Sequence, residues 1–352
     1  MNNLRLVIVG FGGMGNWHAA NVRARVPGVE VYGAYDIRPE AREDARNKGL
    51  TVYESLDAVL ADETVDLITI AVPNNFHKDI AIRALRAGKN VICEKPVTLN
   101  AAELEEIIAV RDETGKVFTV HQNRRWDRDF CIVKAAKEQG LLGQVYMVKS
   151  IVQGSRGAMY GWRGHKENGG GMLLDWGIHL LDQAMYLFDE KVVSADAHLQ
   201  SMYTPGVDDN IHLFLRFKSG CSYVMEMSTN CLINLPRWHV QGTEGTLQID
   251  DWGCGGKLMK LKPNAEMKWS DDIVYTEAGP TRTMAPRPEY TMTELPLPDE
   301  HPDWTDYYKN VAGAIRGTEQ LLVTPEQALR VMRVVDLMFK ADAEGGARKC
   351  DI

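Results

Sequence analysis

Close pairs of cysteines are missing from this chain. Its six cysteines, Cys93, Cys131, Cys221, Cys231, Cys254 and Cys350, are scattered, with no C-x-x-C pair among them. That excludes a zinc ribbon and a thioredoxin-like redox pair, and isolated thiols fit a reducing cytosol better than a disulfide scaffold. Long apolar runs are missing too. The clearest, residues 67–72, is stopped by Pro73 and is far too short to cross a bilayer. Met1-Asn2-Asn3 runs straight into a short apolar stretch, with no cationic segment and long apolar core, so no secretory leader is expected. Positive charge is in deficit: 40 Lys and Arg stand against 48 Asp and Glu, a net charge of −8. Such a field repels nucleic acid and anionic membrane, so neither is an expected partner. The one basic cluster, Arg124, Arg125 and Arg128, is diluted by Asp127 and Asp129. Nine histidines show no H-x-H or H-E-x-x-H spacing, so no metal site is expected.

What remains is an ordinary globular composition, 45% hydrophobic and 25% charged over 352 residues. That length suits about two domains. The first 120 or so residues alternate short apolar runs with helix-like stretches. Residues 6–9, 29–35, 67–72, 91–93 and 117–120 read as strands. Residues 14–25, 39–48 and 78–87 read as helices, and Asn100 caps another with Glu103 in the capping-box position. Buried strands alternating with helices imply a doubly wound parallel sheet of the Rossmann type. After about residue 125 the pattern changes. Residues 144–153, 192–199, 210–217, 222–229 and 237–243 read as strands that alternate apolar with polar residues, the mark of an open, mainly antiparallel sheet. One helix, about 172–187, interrupts them. Residues 262–302 are polar and proline-containing and read as long loops. Helices near 306–316 and 325–341 close the chain, the last capped by Thr324 with Pro325 and Gln327. The expected division is an α/β unit over 1–124 and an α+β unit over 125–352, with the final helices packing back on the first unit.

Gly10-Phe11-Gly12-Gly13-Met14-Gly15 fits G-x-G-x-x-G between a strand and a helix, the context in which that pattern binds dinucleotides. Gly10 permits the tight turn, Gly12 lets backbone approach a pyrophosphate, and Gly15 allows close helix–strand packing. Asp36 ends the second strand, 21 residues after Gly15. Its carboxylate suits a ribose hydroxyl and repels a 2′-phosphate, favouring NAD over NADP, while Arg38 softens that preference. Glu94-Lys95-Pro96 follows the strand 91–93, at the carboxyl end where ligands of such sheets sit. A lysine there can hydrogen-bond a reacting oxygen. Position alone serves equally a surface lysine before a turn proline.

The glycine motif, Val72-Pro73-Asn74-Asn75-Phe76-His77, and Gly88 through Glu94-Lys95-Pro96 resemble the Gfo/Idh/MocA oxidoreductases, the glucose-fructose oxidoreductase and inositol 2-dehydrogenase family. The likeness extends over nearly the whole chain. Gly169-Gly170-Gly171 followed by Asp175 and His179 resembles that family's second motif. Spacing alone would serve a helix-stabilising Asp–His pair. The resemblance implies that Lys95, Asp175 and His179 carry proton transfer, with His179 as base and Asp175 holding the imidazole or the substrate hydroxyl. It also implies cofactor contacts at Gly10, Gly12, Gly13, Met14, Gly15, Asp36, Arg38, Pro73, Asn74, His77, Glu94, Lys95 and Gln122.

Weaker candidates surround these. Asn123, Arg124 and Arg125 lie in a stretch that resembles the family's domain junction beside the nicotinamide, where Arg124 or Arg125 could bind substrate hydroxyls or cofactor, though a charged hinge fits as well. Trp162, Arg163 and His165 suit a sugar-binding loop, or a plain loop. The expected activity is NAD(H)-dependent oxidation or reduction of a secondary alcohol of a sugar, glycoside or inositol, by a cytoplasmic homodimer or homotetramer. Three other readings stand beside it: a glycoside hydrolase or transhydrogenase that recycles NAD in place, a reductase of imines, dihydrodiols or tetrapyrroles, and a non-catalytic NAD sensor.

Overall fold

Two sheets organise the chain. The computed structural model describes residues 3–266, 272–282 and 287–352. The first sheet takes its strands from the buried apolar runs: β1 (Leu4–Val9), β2 (Val29–Tyr35), β3 (Thr51–Val52), β4 (Leu67–Ile70), β5 (Asn90–Cys93) and β6 (Phe118–Val120). All pairings are parallel, in the order β3-β2-β1-β4-β5-β6. Leu6, Val7, Ile8 and Val9 are at most 1% exposed, because helices cover both faces. Those helices are α1 (Gly13–Arg25), α2 (Pro39–Asn47), α3 (Leu56–Ala61), α4 (His77–Arg86) and α5 (Ala101–Thr114). Asn100 caps α5 by accepting from the Glu103 N–H. The Glu103 carboxylate accepts from Leu99 N–H instead of closing the box on Asn100. The strand order reverses between β1 and β4, which opens a crevice beyond their carboxyl ends.

A helix that the sequence pattern did not announce, α6 (Arg128–Glu138), leads into the second sheet. Its strands are β7 (Val145–Gln153), β8 (Val192–Gln200), β9 (Asn210–Phe217), β10 (Ser222–Ser228), β11 (Trp238–Gly242), β12 (Gly245–Ile249) and β13 (Gly256–Leu261). Ile211, Leu213, Leu215 and Phe217 of β9 are at most 1% exposed, while His212 and Arg216 face outward. The alternation is that of a sheet with one covered face. The region expected as long loops holds more structure. Among its described residues, β14 (Ile273–Thr276) and β15 (Gly279–Arg282) form a hairpin, and β16 (Met292–Leu295) pairs with β13. Charged and proline-containing edge strands carry too little apolar alternation to be read from sequence. Residues 267–271 and 283–286 of that region lie outside the described residues. With β17 (Arg348–Lys349), the sheet runs β16-β13-β12-β11-β7-β10-β9-β8-β17. Every pairing is antiparallel except β7 with β10, which is parallel at the centre.

The helix expected over 172–187 is in two parts. Leu173–Gly177 is a π-helical turn, and α7 (Ile178–Leu187) continues it. The closing helices are α8 (Thr305–Ile315) and α9 (Pro325–Glu344). In the α9 capping box, Gln327 N–H donates to Thr324 Oγ1 and Thr324 N–H to Gln327 Oε1. The helix then packs against β8, α7 and α5, tying the second sheet to the first. Among the described residues no helix is long and apolar enough to cross a membrane.

Candidate active site

The crevice beyond β1 is built on glycine. Gly10 has φ of 94°, and a Cβ there would lie 2.4 Å from the Ala71 carbonyl oxygen. A Cβ on Gly15 would fall 2.0 Å from the Gly10 carbonyl oxygen. Any larger residue would push strand and helix apart. Around Gly13 a Cβ would meet nothing within 4 Å, so the start of α1 lies open. Its first turn carries no acidic residue, which leaves its N–H groups free for an anion. Met14 is partly exposed beside them.

Asp36 stands at the rim. Its carboxylate accepts from Phe11 N–H at 2.8 Å and pairs with Arg38 at 3.1 and 3.2 Å. Burial opposes its ionisation, but the Arg38 guanidinium and the Arg38 and Phe11 amides outweigh this and hold its carboxyl below the ordinary range. Arg38, expected to soften the preference that Asp36 sets, is paired with that carboxylate and offsets its charge.

Several residues expected to touch cofactor are committed elsewhere. Asn74 is buried, and its Nδ2 donates to the Gly169 carbonyl, joining the β4 end to the glycine run. Pro73 begins that turn. His77 is fully buried, with its ring nitrogens 2.9 Å from Pro96 O and 3.0 Å from Val72 O. It pins the β4 and β5 loops together rather than facing the crevice. Glu94 turns away as well. Its Oε1 lies 2.8 Å from both His18 Nε2 and His121 Nδ1, and its Oε2 accepts from Lys95 N–H at 3.1 Å. Tyr308 OH of α8 lies 2.6 Å from His18 Nδ1. Burial alone would raise the Glu94 carboxyl, but His121 and His18 hold it well below its ordinary value. His18, Glu94 and His121 are also the cluster among the described residues whose donor atoms all lie within 4.8 Å, close enough for a metal. The close contacts of the Glu94 Oε1, His18 Nε2 and His121 Nδ1 atoms are with one another, in a hydrogen-bonded network that fixes the backbone of Lys95. Gln122 is buried too, and its Oε1 has no partner.

The Lys95–Pro96 peptide is cis. Lys95 Nζ points into the crevice and donates to Asp175 Oδ1 at 3.0 Å and to the Asp175 carbonyl at 2.9 Å. Arg163 Nε approaches the same carboxylate oxygen at 3.3 Å. Burial opposes ionisation of Asp175, and Lys95 and Arg163 reverse the balance, holding its carboxyl below the usual value. His179 is 4% exposed, and its Nδ1 is buried with no partner. Burial first, then the charges of Lys95 and Arg124, push its imidazole well below the ordinary value. Of the two holds expected of Asp175, on the imidazole or on a substrate hydroxyl, the one on the imidazole is not made, and its carboxylate contacts are Lys95 and Arg163. The π-turn is wider than an α-turn, so the four-residue spacing no longer stacks the two side chains, and the carboxylate goes to Lys95 and Arg163.

Gly169-Gly170-Gly171 make this approach possible. A Cβ on Gly171, at φ of 104°, would fall 2.3 Å from Asp208 Oδ1, and that side chain accepts from the Leu173 N–H that opens the π-turn. Asn123 opens a 3-10 turn, Asn123–Trp126. Arg124 lies with its guanidinium 4.2 Å from the Trp176 ring and pairs with Asp127. Trp162 and Arg163 share the turn Gly161–Gly164, the guanidinium 4.5 Å from the indole. His165 is exposed and paired with Glu167 at 3.7 Å, outside the Lys95 cluster. Sequence reasoning missed Trp176, Trp252 and Arg237. The Trp176 ring is 6.0 Å from that of His179 and 5.8 Å from that of Trp252, and Arg237 lies 4.8 Å from the Trp252 ring. Trp176 was legible inside its motif. Trp252 is brought in by the β12–β13 turn, and no local pattern marks it.

The profile described as "Oxidoreductase family, NAD-binding Rossmann fold" matches residues 4–122, and "GFO/IDH/MocA C-terminal domain" matches residues 130–248. The chain belongs to the Gfo/Idh/MocA oxidoreductase family. The parallel sheet and its glycine loop are that family's NAD-binding domain. A crystal structure of an NAD-binding protein from Listeria innocua superposes with a TM-score of 0.93 at 40% identity, covering 99% of this chain and 100% of that one. Two Bacillus subtilis (strain 168) enzymes are similar in sequence. The scyllo-inositol 2-dehydrogenase (NAD(+)) is 29% identical, covering 70% of this chain and 74% of its own. The scyllo-inositol 2-dehydrogenase (NADP(+)) is 26% identical, covering 83% and 81%.

Proposed function

We propose that the protein is an NAD(H)-dependent dehydrogenase that interconverts a secondary alcohol and a ketone on a sugar, glycoside or inositol. The observation that carries this reading is the placement of a lysine ammonium, paired with Asp175, beside a buried histidine that is held neutral. A cationic hydrogen-bond donor beside an unprotonated imidazole forms a proton-transfer set, which a binding module would not need.

The glycine loop fits the dinucleotide, since its backbone lies uncovered at Gly13 and the α1 N-terminus faces the same space. Gly10, Gly12, Gly13 and Met14 would hold the pyrophosphate, Asp36 and Arg38 the adenosine ribose, and the orphaned Gln122 carbonyl supplies an acceptor deeper in the crevice. The bound nicotinamide supplies the hydride chemistry at its C4. The chain's own residues handle the proton. His179, neutral near pH 7, accepts it from the substrate hydroxyl. Lys95 donates a hydrogen bond to the same oxygen and stabilises the negative charge that develops there. Asp175 keeps Lys95 and Arg163 oriented. NAD is the preferred cofactor because Asp36 stands where a 2′-phosphate would lie, and Arg38 permits measurable use of NADP. The inositol dehydrogenase activities of the two Bacillus relatives support a cyclic polyol or sugar substrate.

The test is absorbance at the NADH band with purified protein, NAD and a panel of inositols, free sugars and glycosides, repeated with NADP. The expected result is NADH formation with one substrate class, abolished by Lys95→Ala. Tightly held cofactor with no net NADH from any compound would overturn the reading in favour of redox cycling in place.

A further inference from the structure

Beyond His179 the cleft wall is aromatic. The indole of Trp176 stands between the His179 ring at 6.0 Å and the indole of Trp252 at 5.8 Å. The Trp252 and Trp176 planes are tilted by 51°. Two guanidiniums brace the pair. Arg124 lies 4.2 Å from the Trp176 ring and 5.6 Å from the Trp252 ring, and Arg237 lies 4.8 Å from the Trp252 ring.

Packing alone does not account for Trp252. It is 49% exposed, unlike Trp238 of the same sheet, which is fully buried. The turn that carries it is ordered: Asp250 N–H donates to Gly255 O, Cys254 N–H to Asp251 O, and Gly253 N–H to Asp251 Oδ1. Arg237 beneath it is buried, is paired with Asp129 at 3.1 Å, and keeps an Nη2 without a partner. An indole carried on an ordered turn, braced from beneath by buried Arg237 and left half open beside the partly exposed Arg124, describes a ligand wall rather than core.

We propose that Trp176 and Trp252 form a stacking subsite for a second sugar ring, so that the substrate is a glycoside rather than a free monosaccharide or inositol. This rests on the dehydrogenase reading for the identity of the reacting ring. The apolar C–H face of a pyranose would lie on an indole, and its hydroxyls would meet the partly exposed Arg124. The ring to be oxidised then reaches Lys95 and His179, one ring's length further in.

The experiment compares kcat/KM with NAD for glucose, methyl glucoside, cellobiose and maltose in the wild type, Trp252→Phe and Trp252→Ala. Binding of the same compounds to the NAD-loaded protein is measured by calorimetry, so that failure of turnover is separated from failure of the subsite. The expected result is a preference for the two-ring compounds that Trp252→Ala lowers by about tenfold relative to one-ring compounds, the scale of one aromatic contact. Trp252→Phe keeps most of it. Two-ring binding that depends on Trp252 without any NADH formed would keep the subsite and overturn the dehydrogenase reading. Equal affinity for one-ring and two-ring compounds, no two-ring binding, or an equal loss for both classes in Trp252→Ala would overturn the subsite.

Discussion

Glu94 and Lys95 are consecutive, and so are Arg124 and Arg125, yet each pair divides between two kinds of surroundings. Glu94 enters a sealed network of His18, His121 and Tyr308. Arg125 clamps Asp182 through two bonds of 2.7 and 2.6 Å, reaches the Leu322 carbonyl and Gln327, and lies 4.4 Å from the Tyr186 ring. Lys95 and Arg124 turn the other way, into the cleft, beside a histidine nitrogen with no partner. The sealed groups have nearly all their polar atoms satisfied, with His121 Nε2 an exception. The cleft groups keep atoms in reserve. Burial with satisfaction builds stability, and burial without it holds a group ready for a ligand.

Breaking each region should therefore give opposite signatures. His179→Ala should lower turnover by about 10²–10⁴-fold, the value of a general base, with the melting temperature nearly unchanged. Asp182→Ala should do the reverse, costing about 3–5 kcal/mol by leaving the Arg125 charge buried and unpaired. Chemical denaturation alongside steady-state kinetics checks both. A His179→Ala protein that unfolds easily but keeps full turnover would erase the distinction.

A smaller effect sharpens it. Only a neutral imidazole can accept a proton, so with His179 as the proposed base, alcohol oxidation should be lost as pH falls through its folded-state value. Burial and the Lys95, Arg124 and His121 charges lower that value, and Glu94 opposes them. Arg124→Gln removes one lowering charge, so the acid limb of kcat/KM should move to higher pH, toward the ordinary 6.5. A limb that stays in place or moves down would show that Arg124 does not act on His179.

The division also explains what was legible in the sequence. Glycines forced by close approach, the buried runs of β1 and β4 and the alternation of β9 are local consequences of the backbone, and they could be read directly. Lys95, Asp175 and His179 stand out by resemblance to a family's short motifs, since position and spacing alone serve other readings as well. Their partners could not be read. The π-turn that redirects Asp175 toward Lys95 leaves no periodic mark, because one inserted residue per turn changes spacing by less than the pattern resolves. Tyr308 lies 290 residues from His18, and Trp252 reaches the π-turn residue Trp176 from the β12–β13 hairpin. His77 and Glu94 sit in motifs that touch ligand space, but their side chains point into the protein, a direction that sequence does not carry.

The central claim is hydride transfer from a carbinol carbon with the proton taken by the chain. It is tested most directly by supplying a turned-over substrate with deuterium on that carbon and weighing the nicotinamide product. The expected product is reduced cofactor heavier by one deuterium, formed at a lower rate in His179→Ala. Reduced cofactor without deuterium would contradict that claim.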